Sequence, residues 1–260
     1  MSFELIGEIL QALEEHFPSV VECVDPPVLT MRDGHPAYRY EEQTVEQALV
    51  QKGARVISGL NASFVLLQSG HLQELRAIYR MLDEFGEDIV FLCDIIATGK
   101  STELQEQYLT DFWAEEFDID GKPFQSSQKR KTVSRSKIHA AIARQKNYEV
   151  NPSDGQEIHR TTARAYSGYV HGASPHIMEM YGGAPAKFHI GGMLGTPPFS
   201  FAKGEALTYF YRGLLNVTFV AFYLGCSDAA ESLRAIKSRV EEITGVGQDD
   251  VAAIIGELKK

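Results

Sequence analysis

The densest run of chemistry-bearing side chains lies between Arg160 and His176: Arg160-Thr-Thr-Ala-Arg164-Ala-Tyr166-Ser167-Gly-Tyr169-Val-His171-Gly-Ala-Ser174-Pro-His176. It places paired arginines, histidines, tyrosines and serines at a helix end and its exit. Histidine titrates nearest neutrality and suits proton transfer. Arg164 stands two helical turns before His171 on an approximately matching face, where a guanidinium can stabilise phosphoryl charge. Tyr166, Ser167 and Tyr169 lie between them, and Gly172 lets backbone approach a ligand closely. The same residues also read as a plain helix C-terminus closed by His171 and Gly172, with favourable dipole pairing.

This Arg–His spacing resembles the short-spaced Arg…His motif of the HEPN superfamily, with Arg164 and His171 on the two motif positions. Tyr166, upstream of His171, also makes the segment similar to uncharacterised bacterial helical proteins. HEPN domains are small and helical, and many are metal-independent ribonucleases of toxin and antiviral systems. The resemblance implies that His171 or Arg164 activates the ribose 2′-hydroxyl or the leaving oxygen while the other stabilises charge at phosphorus, with Tyr166, Ser167 and Tyr169 orienting the substrate.

Three further constellations carry charge. Arg76, Arg80, Glu84 and Asp88 recur at a spacing of four, flanked by Asp83 and Glu87. Residues so spaced stack on one helix face. They form either a mixed pocket facing the His segment, with Arg80 and Glu84 touching substrate, or a solvated ladder worth tenths of a kcal/mol per pair. Leu82, Phe85 and Ile89 leave little purely polar face, so some of these charges should be half buried. Lys129, Arg130, Lys131, Arg135, Lys137, Arg144 and Lys146 form a basic segment, and no acid interrupts residues 121–148. Without these seven cations the total of -10 would stand at -17, so basic charge is concentrated as an RNA footprint requires. It could equally dock on the protein's own acidic body or on a protein partner. No aromatic residue interleaves it for base stacking.

His159, His171, His176 and His189 do not assemble a metal signature. Glu157-Ile-His159 lacks two histidines four apart around a Glu, and no pair of Glu-x-x-His helices is present. Neither a metal nor a cofactor is expected. Phosphate loops, dinucleotide fingerprints and the Gly-x-Ser-x-Gly elbow are also missing, which disfavours ATPases, Rossmann dehydrogenases and α/β-hydrolases.

Helices must position these residues. Apolar residues recur at helical spacing in every long segment, and period-two alternation is missing. The expected helices cover about 3–17 (ended by Pro18), 44–69, 71–98, 102–117, 133–145, 153–170, a short one from Ser174, 202–225, 228–244 and 249–258. Residues 18–43 read as a loop with an extended piece at Val28–Met31, and 182–200 as a Gly/Pro-rich loop. Thr44-Val-Glu-Gln47 is a capping box, and Gly70 and Gly99 are helix stops. The run Ala206–Leu224 is apolar enough to suggest a membrane span. Arg212 and Asn216 interrupt it, and an Arg at a bilayer centre costs about 3 kcal/mol. It reads instead as a buried central helix whose Arg212 needs a carboxylate or carbonyl partner.

The whole is an all-α multi-helix bundle with little or no sheet: a single helical domain over 1–260, with 118–131 the one candidate internal boundary. Hydrophobic residues at 44 % and charged residues at 23 % are ordinary for a folded chain. Cys23, Cys93 and Cys226 lie far apart without a Cys-x-x-Cys pair, and an odd count suggests a reducing compartment. With no basic-then-apolar leader, a cytoplasmic location is expected. The leading functional expectation is a HEPN-like ribonuclease of a bacterial toxin or defence system. Its partners would be RNA at the basic segment and a second copy or another protein, with no membrane. A non-enzymatic interaction module is the rival, and a metal-dependent hydrolase comes third.

Overall fold

The computed structural model describes residues 2–32, 34–117, 122–145 and 152–246. Among these the chain forms nine α-helices. They are α1 (Ser2–Val21), α2 (Val45–Ser69), α3 (Leu72–Thr98), α4 (Glu103–Trp113), α5 (Arg135–Ile142), α6 (Pro152–His171), α7 (Ser174–Met178), α8 (Pro197–Tyr223) and α9 (Ser227–Thr244). Two small antiparallel hairpins complete the fold: β1 (Val28–Arg32) with β2 (His35–Arg39), and β3 (Tyr181–Gly182) with β4 (Lys187–Phe188). The mostly all-α architecture expected from apolar periodicity is the architecture found.

Local chemistry sets several boundaries. Thr44 and Thr102 each open a helix with a reciprocal capping box, to Gln47 and Gln105. Gly70 and Gly99 close α2 and α3 in the left-handed conformation, at φ 75° and 66°. Helix α8 is the axis of the bundle and packs against α1, α2, α3 and α9. Its Ala202, Ala206, Phe210, Leu214, Val217, Val220 and Ala221 are fully buried. Each of the larger ones contributes about 1.5–3 kcal/mol of hydrophobic stabilisation. Among the described residues no helix is long and apolar enough to cross a membrane. Arg212 has the partner its position demands: a nitrogen of its guanidinium lies 2.7 Å from Asp83, which is buried on α3.

The structure departs from expectation at several places. Pro18 does not end α1. It forfeits one backbone donor, but the fully buried Val20 holds the last turn, and the Pro18 carbonyl accepts from Glu22 N–H at 3.1 Å. The extended piece at Val28 is one arm of a hairpin whose return strand went unread. Helix α4 stops at Trp113, because Ala114 turns extended and Glu115 pairs with Arg39 on β2 at 2.6 Å. Pro197 and Pro198 start α8 rather than lying in a loop, since proline fits the first helical turn. Helix α7 begins at Ser174 itself, with Ala173 at the cap position in place of the serine that would ordinarily cap before Pro175. The helix expected at 249–258, Lys146 and part of the 118–131 connection lie outside the described residues.

The cysteines also differ from expectation. Cys23, just past α1, and Cys226, just before α9, form a disulfide across 203 residues, with Cα atoms 6.6 Å apart. Cys93 remains a buried thiol, pushed up to about 12 by burial. The spacing gave no hint of this pair because only packing of α1 beside α8 and α9 brings it together.

Two stability predictions follow from these contacts. In the chain-entropy picture a cross-link over 203 residues is worth about 5 kcal/mol. Reductant should therefore lower the melting temperature by on the order of 10 °C, and Cys23→Ser should melt at that lower temperature with or without reductant. Identical melting of the intact and reduced protein would contradict the cross-link. Separately, Arg212→Met should cost about 3 kcal/mol, because Asp83 is left buried and uncompensated. Adding Asp83→Leu should recover most of that loss in denaturant titrations, and additive losses would show that the pair is not coupled.

Candidate functional site

Helices α3, α6 and α8 and the exit from α7 meet around Arg76. Its guanidinium donates to Glu179 at 2.8 Å and to Glu205 at 3.2 Å. Tyr166 donates to Glu205 at 2.7 Å, and Tyr169 donates to Glu179 at 2.8 Å. Burial works against the Arg76 charge, yet Glu205, Tyr169 and Glu179 raise its pKa overall. Burial, and then the hydrogen bonds to these carboxylates, push both tyrosine hydroxyls up, which keeps them as donors. Behind them Tyr79 and Tyr209 stack at 3.9 Å with Tyr166 edge-on to both. His176 lies edge-on to Tyr169 at 4.5 Å, in space that only a glycine at 168 leaves open, since a Cβ there would sit 2.1 Å from its ring. Gln73 fixes the turn by donating to the His176 carbonyl at 2.8 Å.

Beside this network a cavity of about 340 Å³ opens between the β3–β4 hairpin and the start of α8. Glu179, Tyr181, His189, Met193, Leu194 and Thr196 are among its lining residues. The run Gly191–Gly195 builds one wall by docking on the end of α2. The Met193 N–H donates to the Gly70 carbonyl at 2.8 Å. Gly70 has φ +75°, and a Cβ on Gly192 would fall 2.3 Å from the Ser69 carbonyl oxygen, so both glycines are needed for the two backbones to touch. His189 places Nε2 3.3 Å from the Gly182 carbonyl oxygen, which orients its ring at the cavity edge.

No family model, curated protein or solved structure matches this chain. Function must therefore be argued from its own residues.

The sequence-predicted residues fall into four groups. Tyr166 and Tyr169 join the Arg76 network. Arg164 and His171 are exposed on α6 and, among the described residues, make no hydrogen bond or ion pair; neither lines the cavity. Ser167 is half-buried between them. Arg80 and Glu84 pair with each other at 2.7 Å, away from the cavity. Within the basic segment, Arg130 binds Asp111 and Glu116, and Arg135 binds Asp88 and the Glu84 carbonyl. Lys129, Lys131 and Lys137 are exposed. At Arg130 and Arg135, then, the segment docks on the protein's own acidic body.

A second cluster was missed. Glu87 of α3, His139 of α5 and His159 of α6 converge: His139 Nε2 lies 2.9 Å from Glu87 Oε2, and His159 Nδ1 3.2 Å from Oε1. Burial opposes the Glu87 charge, but both imidazoles and Arg135 hold its carboxyl down at about 2. His159 figures in the sequence only among histidines without a metal signature. His139 drew no attention, although it stands four residues after Arg135 on one face, beside the apolar Ile138 and Ile142 that bury α5.

Proposed function

We propose that the protein binds a small organic molecule, presenting an amine or another hydrogen-bond-donating end, in the cavity beside Glu179. The observation that carries this reading is the state of Glu179. Its carboxylate is held on one side by Arg76 and Tyr169, remains 39 % exposed, and lines a cavity of about 340 Å³. Such a volume is ordinary for a ligand site, and apolar walls with a few fixed polar groups are the usual design. Tyr181, Met193, Leu194 and the two prolines opening α8 supply apolar wall, while Glu179, His189 and Thr196 supply polarity. Arg76 is shared between two carboxylates, so the network carries surplus negative charge and favours a cation over an anion. The test is a thermal-shift and equilibrium-dialysis panel of aryl- and alkylamines against carboxylates of the same shape. Amines should raise the melting temperature, by about 2.7 kcal/mol of added stability at a hundredfold excess over Kd. Glu179→Gln should remove that effect while keeping the helical spectrum. Equal behaviour of amines and acids would sink the reading.

A second reading keeps the ribonuclease implied by the Arg–His motif. It is supported by the accessibility of Arg164 and His171, two exposed side chains two turns apart on α6. Both changes, Arg164→Ala and His171→Ala, should then abolish RNA cleavage measured without divalent ions and leave the melting curve nearly unmoved, because exposed substitutions seldom exceed about 0.5 kcal/mol. Undiminished cleavage by folded His171→Ala rejects it.

A further inference from the structure

We infer that Glu87, His139 and His159 form a binding site for a divalent transition-metal ion of the zinc and cobalt class. Three separate helices bring the residues together, and one ligand atom from each lies within 4.8 Å of the other two. The set is therefore gathered before any ion draws it in. Two imidazoles and one carboxylate are the donor set of open zinc and non-haem iron sites, with three protein ligands and remaining positions left to water or substrate. Oxygen-seeking ions such as magnesium and calcium prefer all-oxygen cages and fit this set poorly.

The simplest rival is a hydrogen-bonded staple in which Glu87 merely accepts from both rings. One detail favours the ion. His139 is 5 % exposed, and its Nε2 points at Glu87 Oε2 from 2.9 Å. Yet neither atom completes a hydrogen bond among the described residues, although both are buried. An unsatisfied buried polar atom is costly, and a shared cation satisfies both at once. The rings of His139 and His159 also lie nearly parallel, 5.1 Å apart at 20°, so two donors approach the carboxylate side by side. His159 is the partly exposed member, at 21 %, and gives the ion its entry.

The surrounding charge is balanced. Arg135 stands 3.8 Å from Glu87 Oε2 but also contacts Asp88, which takes Lys52 at 2.7 Å. Two carboxylates thus face two cations, so affinity must come from the donor atoms and not from a negative field. That again selects ions that prefer nitrogen. This inference is independent of the cavity beside Glu179.

The experiment uses the untagged full chain after removal of metal with a chelator. Cobalt(II) is titrated while visible absorption is followed, and zinc is then added as competitor with calorimetry and melting curves in parallel. One cobalt per chain, displacement by zinc, no response to magnesium and a metal-dependent rise in melting temperature are expected. His159→Ala, at the exposed edge, should weaken binding more than about tenfold, since even supporting groups around a metal are worth that much. Glu87→Gln should weaken it further. Absence of saturable cobalt or zinc binding at millimolar ion overturns the inference, as does undiminished binding by His159→Ala. In either case the cluster is a polar staple. Should Glu87→Gln fail to fold, the unmodified chain and His159→Ala decide alone.

Discussion

Helix α3 turns three of its carboxylates inward, and the bundle is arranged around satisfying them. Asp83, Glu87 and Asp88 are all buried. Asp83 takes Arg212 and Tyr209 from α8; Glu87 takes His139 from α5 and His159 from α6; Asp88 takes Lys52 from α2 and Arg135 from α5. Burial, helped by the neighbouring Glu87 charge, raises the Asp83 pKa, with Arg212 and the Tyr209 hydroxyl working against that shift. A buried charge is tolerable only when its partner arrives in good geometry, and the partnered pair need not exceed the stability of an apolar replacement. These contacts therefore act chiefly on arrangement: α2, α5, α6 and α8 must sit at one rotation and height against α3 for all three acids to be met.

The same rod organises both regions with chemical capability. Arg76 orients the Glu179 and Glu205 carboxylates near one part of α3, and Glu87 gathers the histidines three turns further on. Eleven residues of α-helix separate them by about 16 Å. The Gly/Pro-rich connection before α8 is fixed to the end of α2 by backbone contact, so the cavity wall rests on a helix terminus and not on a free loop.

The sequence made the helices legible because their signals are local. Thr44 with Gln47, Gly70, Gly99 and the apolar run around Arg212 each act within a few turns, and Arg212 in such a run demanded an acidic partner. Half-burial was anticipated for the charges after Arg76, and several are fully buried. What stayed hidden was set by distance along the chain. Glu87 and His139 belong to different helices whose facing surfaces appear only after packing, and Cys23 meets Cys226 only when α1 lies beside α9. Proline misled in both directions. Pro18 reads as a stop but is overruled by the burial of Val20, and Pro197 reads as loop although the first helical turn needs no donor there.

Helix α1 makes its packing contacts with α2, α8 and α9, and two of these three belong to the far end of the described chain. During synthesis its apolar stripe of Leu5, Ile6, Ile9 and Leu13 waits for partners on α8 and α9 far along the chain. At ordinary elongation rates the 203 residues from Cys23 to Cys226 take about 10 to 40 s to emerge. Until then α1 offers a nascent chain's most adhesive surface to whatever is near, and α2 alone can shield part of it. The completed bundle hides this entirely, but a cell making the protein must manage an early helix that cannot be covered before the late ones exist.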